Sequence, residues 1–279
     1  MNRFLISSVG VLSTVIALTP AFSADMTIKP RPATAIQPAP QASNWTGGQI
    51  GGNGGGSIGN NNFVEPGALV CFAAGTCGET PFSFDKNPGS FAGGGFIGYR
   101  WQMGNTVFGM EGDVTWQQLK SSVSQSSLTV ITGGTRSDSF SGSIKQGVEG
   151  SVRARYGWLM TPMTLLYVTG GVAFGEVSGS FSYTGVASDI VSGSGSWSDT
   201  RVGFTVGGGV ESDVSALLGM HGVKARFEYR FTDYGSYSKD IALSCTGACT
   251  SVTYPSSTAH ISVSDVYNHK FLAGLGFDF

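Results

Sequence analysis

Along much of this chain, hydrophobic and polar residues alternate one for one. In Thr106 to Leu119, Phe108, Met110, Val114 and Trp116 share one face while Glu111, Asp113 and Thr115 share the other. Val148 to Trp158 repeats the pattern, with Val152, Ala154, Tyr156 and Trp158 opposite Glu149, Arg153 and Arg155. In Val223 to Tyr234, Phe227, Tyr229 and Phe231 oppose Lys224, Arg226, Glu228 and Arg230. A period of two belongs to a β-strand, whose successive side chains point to opposite faces. Five more stretches complete a set of eight: Trp45 to Gly55, Phe91 to Trp101, Leu165 to Val177, Arg201 to Glu211 and Val266 to Phe279. The first is too rich in glycine for its faces to be phased. The last keeps Phe271, Ala273, Leu275, Phe277 and Phe279 on one side up to the final residue.

None of the ten prolines falls inside these eight runs, as expected where each backbone N–H must join a ladder. Three connections are short: four residues (QMGN), six (LMTPMT) and eleven (SDVSALLGMHG). The other four are long, about 20 to 36 residues each, and rich in Ser, Gly, Asn and Thr. Runs near the ~9 to 11 residues of a membrane strand, with short turns at one end and long loops at the other, predict a transmembrane barrel. An even strand number lets the sheet close and removes its edges. A secreted β-sandwich is the competing architecture, and it would bury the aromatic faces. Trp45, Trp101, Trp116 and Trp158 stand near run ends, where the aromatic girdles of a membrane barrel belong, and so favour the barrel.

The beginning of the chain adds compartment. Arg3, an apolar stretch from Phe4 to Leu18 and the small-residue site Ala21-Phe22-Ser23 predict an export signal over 1–23. Residues 24–44, with Pro30, Pro32, Pro38 and Pro40, read as an extended periplasmic leader, which leaves 45–279 for the barrel. Cys71/Cys77 and Cys245/Cys249 form two close pairs; in an exported protein they read as disulfides, with pairing inside each stretch favoured over the two other connectivities. Zinc is the alternative, but neither spacing is C-x-x-C and no metal site is expected. A net charge of −2 gives no electrostatic support for nucleic-acid binding.

The segments WTGGQIGGNGG, FIGYRW, VFGMEGDVTW, VEGSVRARYGW, LLYVTGGVAFGEV, TRVGFTVGGGVE and KARFEYRFTDYGS, in this order, resemble the opacity-type and outer-membrane immunogenic-protein family of small alphaproteobacterial barrels. The resemblance spans Trp45 to Phe279. It implies an all-β fold, an eight-stranded antiparallel up-and-down transmembrane β-barrel with short periplasmic turns and long outer loops, in the Gram-negative outer membrane. Members are called porins, and some are described as hemin-binding or as adhesins. The resemblance also implies that Phe271, Phe277 and Phe279 form an insertion signal read by the barrel assembly machinery. Membrane lipid and lipopolysaccharide are the implied surroundings, with small solutes or a host surface as further partners. The oligomeric state stays open. The cysteines and the long first and fourth loops depart from typical members.

A barrel of eight strands is only wide enough for its own side chains. The faces away from lipid carry Arg100, Arg153, Arg155, Arg201, Lys224, Arg226, Arg230 and Lys270 against Glu111, Asp113, Glu149, Glu211, Glu228 and Asp278. Near-balance in a narrow, low-dielectric tube predicts a plug of paired charges rather than a selectivity filter. Glu111, Glu149, Arg153, Arg226 and Glu228 are expected near mid-height. Gly171, Gly175, Gly207, Gly209 and Gly274 on the same faces leave room for small water pockets. No nucleophile stands at a recognisable spacing from His221, His260 or His269, and no helix follows the glycine runs, so no enzyme is expected. Tyr254 and His260, in an outer loop, are the residues that a bound hemin would use.

Overall fold

A computed structural model of the protein describes residues 44–71, 77–131, 134–186, 189–242, 244–247 and 258–279. Among them, twelve strands form one antiparallel sheet. Eight of these close a ring: β1 (Gly47–Cys71), β3 (Gly89–Met103), β4 (Thr106–Gln117), β6 (Gly134–Thr161), β7 (Thr164–Val186), β8 (Asp189–Asp213), β9 (Val223–Asp233) and β12 (Thr258–Asp278). The pairing of Gln49 through Val64 with Asp278 through Ser262 joins the last strand to the first and completes the barrel. The other four strands belong to the long connections: β2 (Cys77–Lys86), β5 (Leu119–Ile131), β10 (Tyr237–Ala242) and β11 (Ser244–Gly247). Each alternating run of the sequence lies in one ring strand apart from its end residues: Trp45 precedes β1, Leu119 opens β5, and Tyr234 and Phe279 follow β9 and β12. At the short-turn end, Gly104, Gly219 and Gly222 take positive φ, of 61°, 65° and 72°, where the chain reverses.

The strands are much longer than the runs. β6 has 28 residues and β7 has 23, about twice what a bilayer requires. Segments expected as polar loop are therefore sheet, and the barrel continues above the membrane. Along β7 the outward residues Leu166, Val168, Val172 and Phe174 give way to Glu176, Ser180 and Ser182, while Val177, Phe181 and Tyr183 turn inward and are buried. Polarity inverts because the outside medium changes from hydrocarbon to water. In β6 the inversion coincides with a β-bulge between Gln146 and Glu149, which shifts the inward set from Phe140, Ile144 and Gln146 to Glu149, Ser151 and Arg153.

Below that boundary the outer wall is apolar. Trp101, Tyr99, Phe108, Tyr156 and Trp158 cluster at the short-turn end of β3, β4 and β6, with Tyr99 and Trp101 centroids 4.8 Å apart and Phe108 and Tyr156 5.2 Å apart. Phe91 and Trp116 mark the opposite edge. Trp45 does not join them. It precedes β1, folds under the mouth of the barrel and is wholly buried. The glycine-rich first strand hid its phase, which the structure resolves as Gln49 and Ser57 inward with Ile50 and Ile58 outward.

If the inversion along β7 marks the edge of the hydrocarbon, a charge placed on either side of it will behave differently. Val172→Arg is expected to destabilise the barrel by about 2–4 kcal/mol. Ser182→Arg, on the same face but higher, stays within about 0.5 kcal/mol of wild type. Urea unfolding in lipid vesicles, followed by the gel shift between folded and heated forms, measures both.

Candidate functional site

The interior is built on one repeated local device. Many of the inward charges have glycine as a cross-strand partner: Arg100 faces Gly109, Glu111 faces Gly98, Arg153 faces Gly171, Arg226 faces Gly274, Glu228 faces Gly209 and Arg230 faces Gly207. A Cβ at Gly171 would collide with the Val152 carbonyl and stand 2.7 Å from Arg153 Cα. At Gly209 it would meet the Tyr167 hydroxyl at 2.7 Å, and at Gly175 it would collide with the Tyr234 hydroxyl. A side chain at these positions would collide with the neighbouring strand's backbone or, at Gly175 and Gly209, with a tyrosine ring.

Those side chains cross the bore. β4 and β9 lie four strands apart whichever way the ring is followed, and are therefore opposite walls. Arg226 of β9 donates to Glu111 of β4 at 2.7 and 3.0 Å, and Arg230 of β9 pairs with Asp113 of β4. β3 and β8 are likewise opposite, tied by Arg100 to Glu211 at 2.6 Å. β6 and β12 are opposite too, tied by Lys270 to Glu149. Two hubs link these ties. Arg153 reaches Glu111 at 2.5 Å, Glu228 at 2.7 Å and the Thr169 hydroxyl at 3.2 Å. Glu228 accepts from Arg153, Arg226, Arg230 and the Tyr167 hydroxyl. Arg155 pairs with Glu211 and lies 3.5 Å over the Tyr167 ring.

Both ends of the network are stoppered. At the short-turn mouth the Trp45 ring receives Lys224 Nζ at 4.3 Å and the Arg100 guanidinium at 5.2 Å, and its indole N–H donates to the Pro162 carbonyl at 3.3 Å. Lys224 also bridges Asp213 at 3.0 Å and Asp278 at 3.2 Å. At the other end, Glu149 accepts from Tyr234 at 2.6 Å and from Thr232 at 3.3 Å. Above it Phe140, Ile144, Phe181, Tyr183, Val263 and Val266 fill the extended part of the barrel, with Phe181 stacked on Trp197 at 4.9 Å. Burial there pushes the Tyr237 phenol up to about 12, although Arg201 sits 4.1 Å over its ring.

Two features differ from the sequence expectation. Arg201 is outside the bore network: it stands beside Tyr237 and, at 3.9 Å, Asp199, whose carboxyl is held below its usual value by a hydrogen bond from Lys239. Asp213, omitted from the inward set, belongs to it through Lys224. Seven bases thus face seven acids: Arg100, Arg153, Arg155, Lys224, Arg226, Arg230 and Lys270 against Glu111, Asp113, Glu149, Glu211, Glu228, Asp213 and Asp278. Glu149, expected beside Glu111, lies a level higher with Lys270 and Tyr234.

Several expected residues stand apart from the lumen. Phe271, Phe277 and Phe279 face outward from or just beyond β12, and the Phe279 backbone exchanges hydrogen bonds with Gly48 at 2.9 and 3.0 Å. The Cys71 and Cys77 backbones are opposite each other in the β1–β2 register, and Cys245 is opposite Val191. The side chains of these three cysteines, and Cys249 and Tyr254 entirely, lie outside the described residues. The His260 backbone pairs with Asp240, and its side chain is likewise outside them. Among the described residues no group of His, Cys, Asp and Glu is arranged to hold a metal ion.

Residues 33–279 match a family model described as outer membrane protein beta-barrel domain. The 22 kDa outer membrane protein of Rhizobium leguminosarum bv. viciae is 36% identical over 168 residues, covering 60% of this chain and 64% of that protein, just under two thirds of its length. The 31 kDa outer-membrane immunogenic protein of Brucella melitensis biotype 1 is 31% identical over 231 residues, 81% of this chain and 86% of that protein. Among solved structures, the outer membrane protein OprG from Pseudomonas aeruginosa aligns with 84% of this chain and 98% of its own, at 10% identity and a TM-score of 0.43.

Removing Arg153 would take one donor from Glu111 and one from Glu228 and leave Arg226 as the only arginine shared by both. Arg153→Ala is expected to cost about 3–5 kcal/mol, and Gly171→Ala about 1–3 kcal/mol through overpacking against Arg153. Arg201→Ala stays within about 1 kcal/mol. In a double-mutant cycle Arg153→Ala and Glu228→Gln couple by about 0.5–3 kcal/mol, because they belong to one network; additive costs would show that the hubs are independent.

Proposed function

Since the chain belongs to the outer membrane protein beta-barrel domain family and resides in the Gram-negative outer membrane, we propose that its own role is that of a closed, non-catalytic barrel which reinforces the envelope rather than conducting solutes. One observation carries this reading: ion pairs between opposite walls span the bore at successive heights, from Arg100–Glu211 through Arg226–Glu111 and Arg230–Asp113 to Lys270–Glu149. A solute would have to separate buried pairs, each costly to break. Trp45 below and the apolar cluster around Phe181 above add a stopper at each end. The polar ends of the wall and its aromatic girdles hold the barrel at fixed depth in the lipid, and the strands beyond the membrane carry a rigid surface outward.

Export by residues 1–23, a periplasmic leader over 24–44 and disulfides within Cys71/Cys77 and Cys245/Cys249 complete the proposal. The test is a deletion strain. Loss of the protein should raise sensitivity to detergent and to bulky hydrophobic antibiotics while uptake of small hydrophilic solutes is unchanged. Re-expression of the wild type should restore the barrier. Slower uptake of small hydrophilic solutes with an intact barrier would make the protein a channel and overturn the reading.

A further inference from the structure

The outer wall carries a feature that closing the bore does not use. β4 ends at Gln117 and β5 begins at Leu119, and β6 bulges opposite them between Gln146 and Glu149. The broken ladder opens a pocket of about 400 Å³ at the upper edge of the apolar band, beside Trp116. Lys120 and Lys145 line it, directly opposite each other in the β5–β6 register and both exposed. Like charges in that arrangement destabilise a sheet. Neither lysine makes an ion pair among the described residues. Glu176 also lines the pocket; it accepts from the Ser198 hydroxyl at 3.1 Å and pairs with neither lysine, so the lining is net positive by one charge.

Immediately below, on the same face, lies a shallow apolar groove of about 600 Å³. Gly95, Gly112 and Gly150 are in its floor, and Val152 and Phe174 are among its sides. Pocket and groove are continuous along three strands: Trp116 stands two residues above Val114, Val148 two above Gly150, and Glu176 two above Phe174. A paired cationic pocket at the interface, over a smooth groove in the hydrocarbon, has the shape of an amphiphile with an anionic head. Glycine supplies the groove because any larger outward side chain would fill it.

We propose that this notch is a binding site for a phosphate-bearing lipid of the outer leaflet, the phosphorylated glucosamine lipid of lipopolysaccharide, with its phosphate between Lys120 and Lys145, its sugar against Trp116 and an acyl chain over Gly150 and Gly112. The phosphate relieves the repulsion between the lysines, and the interfacial lysines supply the attraction to an anionic lipid. The proposal rests on the outer-membrane placement and is independent of whether the bore conducts.

The test uses the full folded chain in mild detergent, titrated with lipid A, dephosphorylated lipid A, phosphatidylglycerol and sodium phosphate, with bound lipid counted by native mass spectrometry. Lipid A should bind wild type, and K120A/K145A should weaken it about 20-fold. Dephosphorylated lipid A on wild type should lose a similar factor, a comparison that requires no variant to fold. Gly150→Leu should weaken lipid A while leaving the salt dependence unchanged. Equal retention of lipid A by wild type and a natively gel-shifting K120A/K145A would overturn the site. Equal binding of dephosphorylated lipid A would also overturn it. If phosphatidylglycerol matches lipid A, or sodium phosphate displaces it at equal concentration, the assignment to the glycolipid fails.

Discussion

An ionised side chain inside a narrow tube, away from bulk water, must find its partner within that tube. In this barrel the partners stand on opposite walls, and the rest of the structure depends on that constraint. Arg226–Glu111, Arg230–Asp113, Arg100–Glu211 and Lys270–Glu149 each join strands four places apart in an eight-membered ring. Ties of this kind form only when the ring has closed with every strand in register, since a one-residue slip would turn the charges toward lipid. They therefore act on specificity of assembly as well as on the bore. Pairing on a diameter also demands reach, which explains why arginine predominates and why glycine stands beside so many of the charges.

The same physics, applied to the outside, sets the vertical position of the molecule. Where the medium is hydrocarbon the wall is Val, Phe and Trp outward and charge inward. Higher up, where it is water, serine faces out and Phe140, Phe181 and Tyr183 form an interior of ordinary soluble type. One continuous sheet thus carries two opposite amphipathic patterns, and the bulge at Gly147 and Val148 lies where β6 changes from one to the other. The notch with Lys120 and Lys145 lies at that seam.

Much of this was legible in the chain. Strict alternation in Thr106 to Leu119, Val148 to Trp158 and Val223 to Tyr234 assigned Glu111, Asp113, Arg153, Arg155, Arg226, Glu228 and Arg230 to the inward face, because period two is a local property. Their partners were not legible, since these depend on ring order, which no short stretch encodes. Trp45 was misplaced because the glycines after it carry no phase. The strands beyond the membrane read as loop because serine and glycine dominate them; the alternation of Phe140, Gly142 and Ile144 with serine was the available signal. The glycine opposite many of the charges was a second signal, visible only once the register is known.

The claim at the centre is that the bore is closed by paired charges, and steady conductance in planar bilayers tests it most directly. Purified, folded wild type should insert without steady conductance, while Arg153→Ala, which removes one of the two arginines that join Glu111 to Glu228, should open a small one. A large, steady conductance from wild type, with Arg153→Ala altering only ion preference, would contradict the account.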